Sequence, residues 1–138
     1  MKIPNLPSKK VLTLEAAKKI ASNAFAEAHR NNWHMAIAIV DDGAHLLYLE
    51  RMDTTQIASV AVAHEKAATA VRFKRSSKVL EDAVTAGRQV VMTLPGATPI
   101  EGGLPIMVDG EVIGGIGVSG GTSTQDGAVA AAGLADLT

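Results

Sequence analysis

The stretch GGLPIMVDGEVIGGIGVSGG, residues 102–121, carries the strongest structural signal in the sequence. It predicts two apolar strands, 104–108 and 111–119, joined by Asp109-Gly110, because that dipeptide suits a two-residue hairpin turn whose central residues have positive φ. Further glycines lie at positions 102, 103, 114, 115, 117, 120 and 121. Glycine weakens a strand and is found there chiefly where another backbone or a ligand approaches closely. We therefore expect a helix, a neighbouring subunit or a ligand to lie against this hairpin.

The remaining sequence predicts a second hairpin and four helices. The second hairpin has strands at 35–40, which is apolar throughout, and at 45–51, with a turn at Asp42-Gly43. Apolar residues at helical spacing and the capping residues Thr13, Ser76 and Ser123 predict helices at 14–29, 55–73, 78–88 and 124–137. A loop rich in proline and glycine covers 93–103. Two hairpins without strand–helix–strand alternation favour an antiparallel sheet with packed helices, which is an α+β fold.

Composition limits the domain organisation and the classes of partner. We expect a single domain over residues 11–138, preceded by an extended leader at 1–10. The net charge is −1 with both signs interspersed, so we expect no nucleic-acid partner, and the absence of cysteine excludes disulfides and thiolate metal sites. Lysines interrupt the N-terminal segment and no long apolar run is present, so we expect a cytoplasmic protein without a membrane segment. Strands that are apolar on both faces also predict a homo-oligomer.

Cationic side chains and backbone amide groups could bind an anion in this chain. Gly120-Gly121 leads into the last predicted helix, whose first amide groups favour a carboxylate or phosphate, although an ordinary capped helix is the alternative. Arg51, at a strand end, could bind an anion or pair with a nearby acid. Lys66 and Arg72 lie on the helix at 55–73, where Lys66 extends either along a packed face or into a pocket.

Four histidines, at positions 29, 34, 45 and 64, are not spaced like a zinc-binding motif, and we expect no metal-ion site. The helix at 55–73 has a predicted apolar face made of Ile57, Val60, Ala61, Ala68 and Val71. His64 falls on the same face. It is interpreted either as a hydrogen-bonded core or interface residue or as an axial ligand of haem. His29 and His34 flank the end of the first helix and could bind a ligand from the surface. His64 and His29 are the candidate haem ligands.

Motifs along the chain resemble the GlcG/HbpS family, which is also found as the C-terminal domain of PduO-type proteins. The motifs are LTLEAAKKI, AIVDDGAHLLYLERMD, HEKAATAVRF, QDGAVAAAGL and the stretch at 102–121, and they span nearly the whole chain. The family-typical positions matched here include Asp42, Gly43, Arg51, Asp53, Lys66, Arg72, Phe73, Gly102, Gly103 and Pro105. The resemblance implies a profilin-like α+β fold with an antiparallel sheet of about five strands and helices on both faces. It also implies homo-oligomers, often octamers.

The resemblance further implies a binding module as the first functional hypothesis. Characterised members bind haem, and others are encoded beside catabolic enzymes for glycolate, diols or aromatic compounds. Such a module would hold haem or another small anionic molecule near the glycine-rich hairpin and would be accessory to a catabolic pathway. Its carboxylates would meet cationic side chains and glycine amide groups, here Arg51, Lys66, Arg72, Gly102, Gly103, Gly120 and Gly121.

The second hypothesis is a cofactor-independent isomerase or tautomerase acting on a small unsaturated oxo-dicarboxylic acid from aromatic-compound degradation. The substrate carboxylates would bind cationic side chains, glycine amide groups would stabilise an enolate, and a carboxylate or His64 would move the proton. The catalytic candidates are Asp42, Arg51, Lys66 and Glu101. The aromatic content of 3% favours this enzyme over a stacking-based ligand site, whereas the family resemblance favours haem. A structural partner of a catabolic enzyme, without a ligand, is a third hypothesis.

Overall fold

The computed structural model describes residues 1–137, which form a four-stranded sheet with helices on both faces. The helices are α1 (Leu14–Arg30), α2 (Ala58–Phe73), α3 (Ser77–Thr85) and α4 (Ser123–Gly133), with a short 3-10 helix at Gln89–Thr93. The strands are β1 (Ala36–Asp41), β2 (Leu46–Arg51), β3 (Gly103–Val108) and β4 (Glu111–Ser119). They are ordered β2-β1-β4-β3, and every neighbouring pair is antiparallel. The predicted α+β class is confirmed, with four strands in the described chain instead of about five.

Both predicted hairpins are present, but their turns differ. Asp109 and Gly110 have φ of 53° and 78°, as the two-residue turn between β3 and β4 requires. The turn between β1 and β2 is longer, and its residue with positive φ is Ala44, at 66°, not Gly43. The Asp41 carboxylate stabilises this turn, because its Oδ1 accepts hydrogen bonds from the backbone amides of Gly43 and His45, each at 2.9 Å.

Side-chain caps mark where α1 and α4 begin. The Thr13 hydroxyl accepts a hydrogen bond from the Ala16 amide at 3.1 Å, as predicted for the start of α1. Thr122, not the predicted Ser123, caps α4, and it forms a reciprocal capping box with Gln125. This helix ends at Gly133, so the prediction of a helix reaching residue 137 was too long. Among residues 1–137, no helix has the length and apolar character that crossing a membrane requires.

The two faces of the sheet bury different kinds of side chain. Ile37 and Ile39 of β1 belong to the large core beneath α1 and α4, together with Ile116 and Val118 of β4. The alternate residues of β1 face α2 and contact small side chains there; the two groups are Ala36, Ala38 and Val40 of β1, and Ala63, Ala67 and Val71 of α2. The apolar sequence of β1 therefore reflects burial on both faces within one chain.

Glycines of the second hairpin allow the backbone of α2 to approach the sheet. A Cβ atom at Gly117 would lie 1.9 Å from the Ala63 carbonyl oxygen, and one at Gly115 would lie 2.6 Å from the Ala67 carbonyl oxygen. Gly103 is as confined, since its Cβ would lie 2.2 Å from the carbonyl oxygen of Lys66. Of the alternatives that the sequence left open, a closely packed helix accounts for these three glycines.

The buried face of α2 differs from the predicted apolar stripe. Ile57, placed on that stripe, is 82% exposed, and His64 is only partly buried. Ala68 and Val71 of the stripe are buried as predicted, but the helix also turns Ala63, Lys66 and Ala67 towards the sheet. Small side chains fit where β4 presents glycines, so the close approach of backbones decides the orientation of α2 more than hydrophobicity does.

Candidate functional site

The structure distributes the predicted site residues over several places. Lys66 is buried at the end of β4, and Gly102 lies against its ammonium group. Arg51 and His29 line a cleft at the end of β2. Asp42 lies in the turn between β1 and β2, at the other end of that strand. The four catalytic candidates are therefore not assembled into one site.

We call the first group the Lys66 cluster, which consists of Lys66, Gly102, Val118, Gly121 and Asp126. Lys66 is 2% exposed, and its Nζ donates hydrogen bonds to Oδ2 of Asp126 at 2.9 Å and to the Val118 carbonyl oxygen at 3.0 Å. The other carboxylate oxygen of Asp126 accepts a hydrogen bond from the Gly121 amide at 2.9 Å. The cluster thus links α2 to the start of α4 around the end of β4.

Glycine is required beside the buried ammonium group. Gly102 has φ of 134°, and a Cβ there would lie 2.8 Å from Nζ of Lys66 and 2.6 Å from the Val118 carbonyl oxygen. Burial raises the pKa of Asp126, while the Lys66 ammonium and the Gly121 amide act in the opposite direction. Gly103 lies next in the chain, and its amide donates to the Ser77 hydroxyl at 2.9 Å. The polar groups of the cluster therefore form their hydrogen bonds with one another inside the protein.

The backbone amide groups at the start of α4 donate hydrogen bonds to side chains of the same segment. The Thr122 amide donates to the Gln125 side chain at 3.0 Å, and the Gln125 amide donates to the Thr122 hydroxyl at 3.2 Å. Gly120, with φ of 139°, gives space to the backbone of His34, whose carbonyl oxygen would lie 2.5 Å from a Cβ there. Glu101 lies against Gly127 of α4, and its amide donates to the Glu81 carboxylate at 3.2 Å.

Three further candidates lie on the surface, away from this cluster. Arg72 donates a hydrogen bond to the Gly96 carbonyl oxygen at 3.0 Å and lies 3.6 Å from the Glu65 carboxylate. Asp42 pairs with Lys9, and the hydrogen bond from Lys9 lowers the pKa of Asp42. His64 is partly exposed on α2. Arg72 and Asp42 are each engaged with partners of their own chain.

The second place is an open cleft of about 410 Å³ between the end of α1, the start of β1 and the end of β2. We call it the histidine cleft, and it is lined by His29, Asn32, His34, Glu50, Arg51, Met52, Asp53 and Thr54. Within residues 1–137 the Arg51 guanidinium makes no ion pair and no side-chain hydrogen bond. A cation and two imidazoles therefore face solvent in one cavity.

A groove continues from this cleft along α1 and β2. It has a volume of about 480 Å³ and shares His29 and Glu50 with the histidine cleft. We call it the α1–β2 groove; its lining is Lys18, Ser22, Phe25, Ala26, His29, Tyr48 and Glu50. The rings of Phe25 and His29 are 6.5 Å apart between centroids. The groove adds aromatic and apolar surface to a cleft that is mainly polar.

His34 is a residue of the cleft that was not among the candidate haem ligands predicted from the sequence. Its Nδ1 lies 3.1 Å from the Asp53 carbonyl oxygen and 3.0 Å from the Thr54 hydroxyl oxygen. Strand register could have located this contact, because Ala36 pairs with Arg51 in an antiparallel ladder and residues 34 and 53 therefore face each other beyond it. His34 and Asp53 thus meet through the same hairpin that carries Arg51.

Comparison with known proteins agrees with this fold over nearly the whole chain. Residues 12–135 match the family described as haem-degrading protein HbpS-like. The chain is 42% identical to the protein GlcG of Escherichia coli strain K12 over 114 residues, or 83% of this chain and 85% of GlcG. Its structure is similar to a double mutant of HbpS from Streptomyces reticuli, with a TM-score of 0.89 and 32% identity, covering 100% of this chain and 94% of HbpS. It is also similar to PduOC solved as a haem complex, with a TM-score of 0.84 and 26% identity, covering 94% of this chain and 96% of PduOC.

Fold and cleft together define a small α+β protein with helices on both faces of an antiparallel sheet and, at one end, a polar cavity lined by two histidines and an arginine. The chain belongs to the HbpS-like family, to which GlcG is similar in sequence and PduOC in structure. The resemblance found in the sequence motifs is confirmed.

Proposed function

We propose that this chain is a small-ligand-binding protein that takes haem in the histidine cleft and the adjoining α1–β2 groove. The observation that carries the proposal is the cleft itself, where two imidazoles lie beside an arginine without a partner among the described residues. An imidazole nitrogen is a common axial ligand of haem iron, and a guanidinium binds a propionate carboxylate well. The similarity to PduOC, which was solved as a haem complex, supports the same ligand class.

The residues of this chain fit the chemical parts of haem. Arg51 lies in the cleft and Lys18 in the groove, so each cavity holds a cation for a propionate. Ala26 and Tyr48 of the groove offer apolar surface to the porphyrin ring, and the Tyr48 ring can stack on it; Phe25 lines the groove but is 6% exposed and adds little surface. Glu50, where the two cavities meet, and Asp53 in the cleft oppose the propionate charges, so each propionate must bind directly to Arg51 or Lys18. When bound, haem would supply an iron centre that binds small ligands and changes oxidation state.

Other candidates for ligand binding have weaker geometry. Lys66 is buried and engaged by Asp126, and Arg72 already donates to the Gly96 carbonyl oxygen. His64, on α2, does not line the histidine cleft or the groove. We therefore assign carboxylate binding to Arg51 and place His64 outside the haem site.

The oligomeric state and the cellular role extend this proposal. We propose a homo-oligomer, with the octamer of the resembled family as its expected size, in the cytoplasm and accessory to a catabolic pathway. Large apolar side chains exposed on the monomer support association; around α3 and the following segment they are Val79, Val90, Met92, Leu94 and Ile100. Light scattering coupled to size-exclusion chromatography measures the mass directly, and a monomer at micromolar concentration would refute this part.

An absorbance titration of the purified protein with hemin tests the proposed function. We expect a saturable one-to-one shift of the Soret band that is lost when His29 and His34 are both replaced by alanine. His45→Ala is the matched control, because His45 is a histidine of the β1–β2 turn that is 84% exposed and lies in neither cavity. Absorbance that rises without saturation and is the same in every variant would mean nonspecific uptake and would refute the proposal.

The isomerase hypothesis stays a prediction. The cationic side chain that binds the substrate carboxylate and the group that moves the proton must contact the same substrate molecule. Asp42 and Arg51, however, lie at opposite ends of a six-residue strand, about 20 Å apart by the usual rise per residue. Glu101 and Lys66 lie beneath α4, and Lys66 is buried. Screening unsaturated oxo-dicarboxylic acids for isomerisation would test it, with Arg51→Ala expected to raise KM for an active substrate.

A further inference from the structure

We propose that His34 is the imidazole that binds the haem iron, and that Thr54 presets the orientation of its ring. This inference rests on the proposed function, because it names the iron ligand of that same cleft. It also makes a claim about the protein without haem, namely which nitrogen of His34 carries the proton. The sequence gives His34 no special pattern, so the argument depends on contacts that the fold creates.

The first step concerns the protonation of the ring. Nδ1 of His34 lies 3.1 Å from the carbonyl oxygen of Asp53, and a carbonyl oxygen only accepts hydrogen bonds. The contact is therefore a hydrogen bond when Nδ1 carries the proton, and the neutral ring then has an unprotonated Nε2. Nε2 has no hydrogen-bond partner in the described chain, and His34 is exposed at the wall of the cleft. Metal-binding histidines commonly donate their other ring N–H to a carbonyl group in this way.

The second step concerns Thr54, which has φ of 68°. A β-branched residue in the left-handed region is a rare outlier, because its Cβ substituents crowd the backbone. Such strain persists where the surrounding structure imposes it, and it is found preferentially at functional sites. Here the strained backbone places the Thr54 hydroxyl oxygen 3.0 Å from Nδ1 of His34. With the proton on Nδ1, the Thr54 hydroxyl oxygen accepts from the same N–H as the Asp53 carbonyl oxygen, so these two groups hold the ring from one side.

The third step is a comparison with the other histidines. His29 contacts the Phe25 ring, and within residues 1–137 no hydrogen bond fixes its tautomer. His45 is 84% exposed near the Asp41 carboxylate, on the turn between β1 and β2. His64 lies outside both cavities. Among the described residues, His34 alone combines an oriented ring with an open position in the cleft.

Nitrogen-15 NMR of the haem-free protein tests the preset ring. At about pH 8, where an ordinary histidine is neutral, we expect His34 in the tautomer protonated at Nδ1. Thr54→Val keeps the branched shape and removes the hydroxyl, so it should increase the mobility of the His34 ring, whereas Thr54→Ser should preserve the wild-type signal. A His34 ring protonated at Nε2, or averaged between both tautomers in the wild type, would overturn the preset geometry.

Hemin titration of single variants tests the iron ligand. We expect His34→Ala to lose the Soret shift and to regain it on addition of free imidazole, while His29→Ala keeps the shift. Thr54→Val should weaken hemin binding several-fold with an unchanged melting temperature. Circular dichroism of each variant establishes that it is folded, and the imidazole rescue separates loss of a ligand from loss of structure.

The two proposals fail in different ways. If the wild type shows no saturable hemin binding, the proposed function is wrong. If the wild type and His34→Ala bind hemin alike while His29→Ala does not, haem binding stands and the assignment to His34 is wrong. The NMR result is independent of both outcomes, because it is measured without hemin.

Discussion

The Lys66 cluster and the histidine cleft lie at the same end of the sheet, but they differ in how their charged side chains are buried and paired. Arg51 and Ser119 both pair with Ala36 across the strands, so the two groups flank one row of the sheet. In the cluster, Lys66 and Asp126 are buried and bond to each other and to the backbone. In the cleft, Arg51 is exposed without a partner in the described chain.

The difference shows that burial decides whether a charged side chain stabilises the fold or remains available to bind a ligand. A buried ammonium or carboxylate is stable only when paired, because transfer out of water is costly. An exposed guanidinium remains hydrated and is available to an incoming carboxylate. From the sequence, Lys66 and Arg51 were both expected to bind an anion, and the tertiary structure separates them.

The largest effect is expected from breaking the buried pair. Lys66→Met removes the ammonium group and leaves Asp126 buried without its counter-ion, so we expect the free energy of unfolding to fall by about 3–5 kcal/mol. Chemical denaturation measures this loss. The double variant Lys66→Met/Asp126→Leu should recover most of it, and Lys78→Met, which removes a lysine half exposed on α3, should change stability little. Equal losses in the single and double variants would contradict the ion-pair explanation.

A somewhat smaller loss is expected from Gly117→Ala, which tests the close packing on the cluster's side of the sheet. The new Cβ would lie 1.9 Å from the Ala63 carbonyl oxygen, so α2 must move away from β4. We expect a loss of about 1–3 kcal/mol, typical of overpacking, in the free energy of unfolding. Gly110→Ala is a useful comparison, because its Cβ would meet nothing within 4 Å and its cost comes from positive φ alone. An unchanged Gly117→Ala variant would show that α2 is not held as closely as described.

A substitution in the histidine cleft should change ligand affinity and leave the free energy of unfolding nearly unchanged. Arg51→Ala is expected to leave the free energy of unfolding within about 0.5 kcal/mol of the wild type, as is usual for exposed side chains. Loss of one charge-assisted hydrogen bond, about 1.5–3 kcal/mol, should raise the hemin dissociation constant roughly ten- to a hundredfold. Arg88→Ala, at an exposed arginine outside both cavities, is the matched control. Equal hemin affinity in both variants would remove Arg51 from the proposed site.

The smallest effect is expected at the exposed pair of Lys9 and Asp42. The Lys9 hydrogen bond lowers the pKa of Asp42 below its usual 3.8, so the carboxylate form stabilises the folded state. That stabilisation is present above the unfolded pKa and is lost as the pH falls through the folded pKa. Asp42→Asn should therefore lower the melting temperature slightly near neutral pH, with the difference vanishing in strong acid and in about 1 M salt. A difference that persists in both conditions would mean that Asp42 acts through the turn and not through its charge.

Much of the fold was accessible from local sequence patterns. Asp109-Gly110 predicted its turn because few dipeptides tolerate two positive φ angles, and Thr13 predicted the start of α1 because its hydroxyl satisfies a free amide group. The orientation of α2 was not accessible, since it depends on glycines of β4 that lie about 50 residues further along the chain. For the same reason the predicted apolar stripe placed Ile57 inside, and the structure leaves it exposed.

The candidate site was predicted in part. Arg51 and His29 were singled out from the sequence and meet in one cleft, although nothing in their spacing showed that they would. His34 and Thr54 were missed as a pair because their contact needs both the strand register and an unusual backbone angle. Lys66 was recognised as ambiguous, and its partner Asp126 was not identified, because the two residues are 60 positions apart.

The sequence by itself therefore determined the elements of this protein and its family, because turns, caps and hydrophobic periodicity act over a few residues, and family motifs recur along the chain. Tertiary structure alone decided which charges are buried and which remain open to a ligand. Burial depends on the packing of distant segments, and pairing depends on distances of about 3 Å that no local pattern encodes. Lys66 and Arg51 have similar side-chain chemistry, and their surroundings make one a structural residue and the other a candidate for ligand binding.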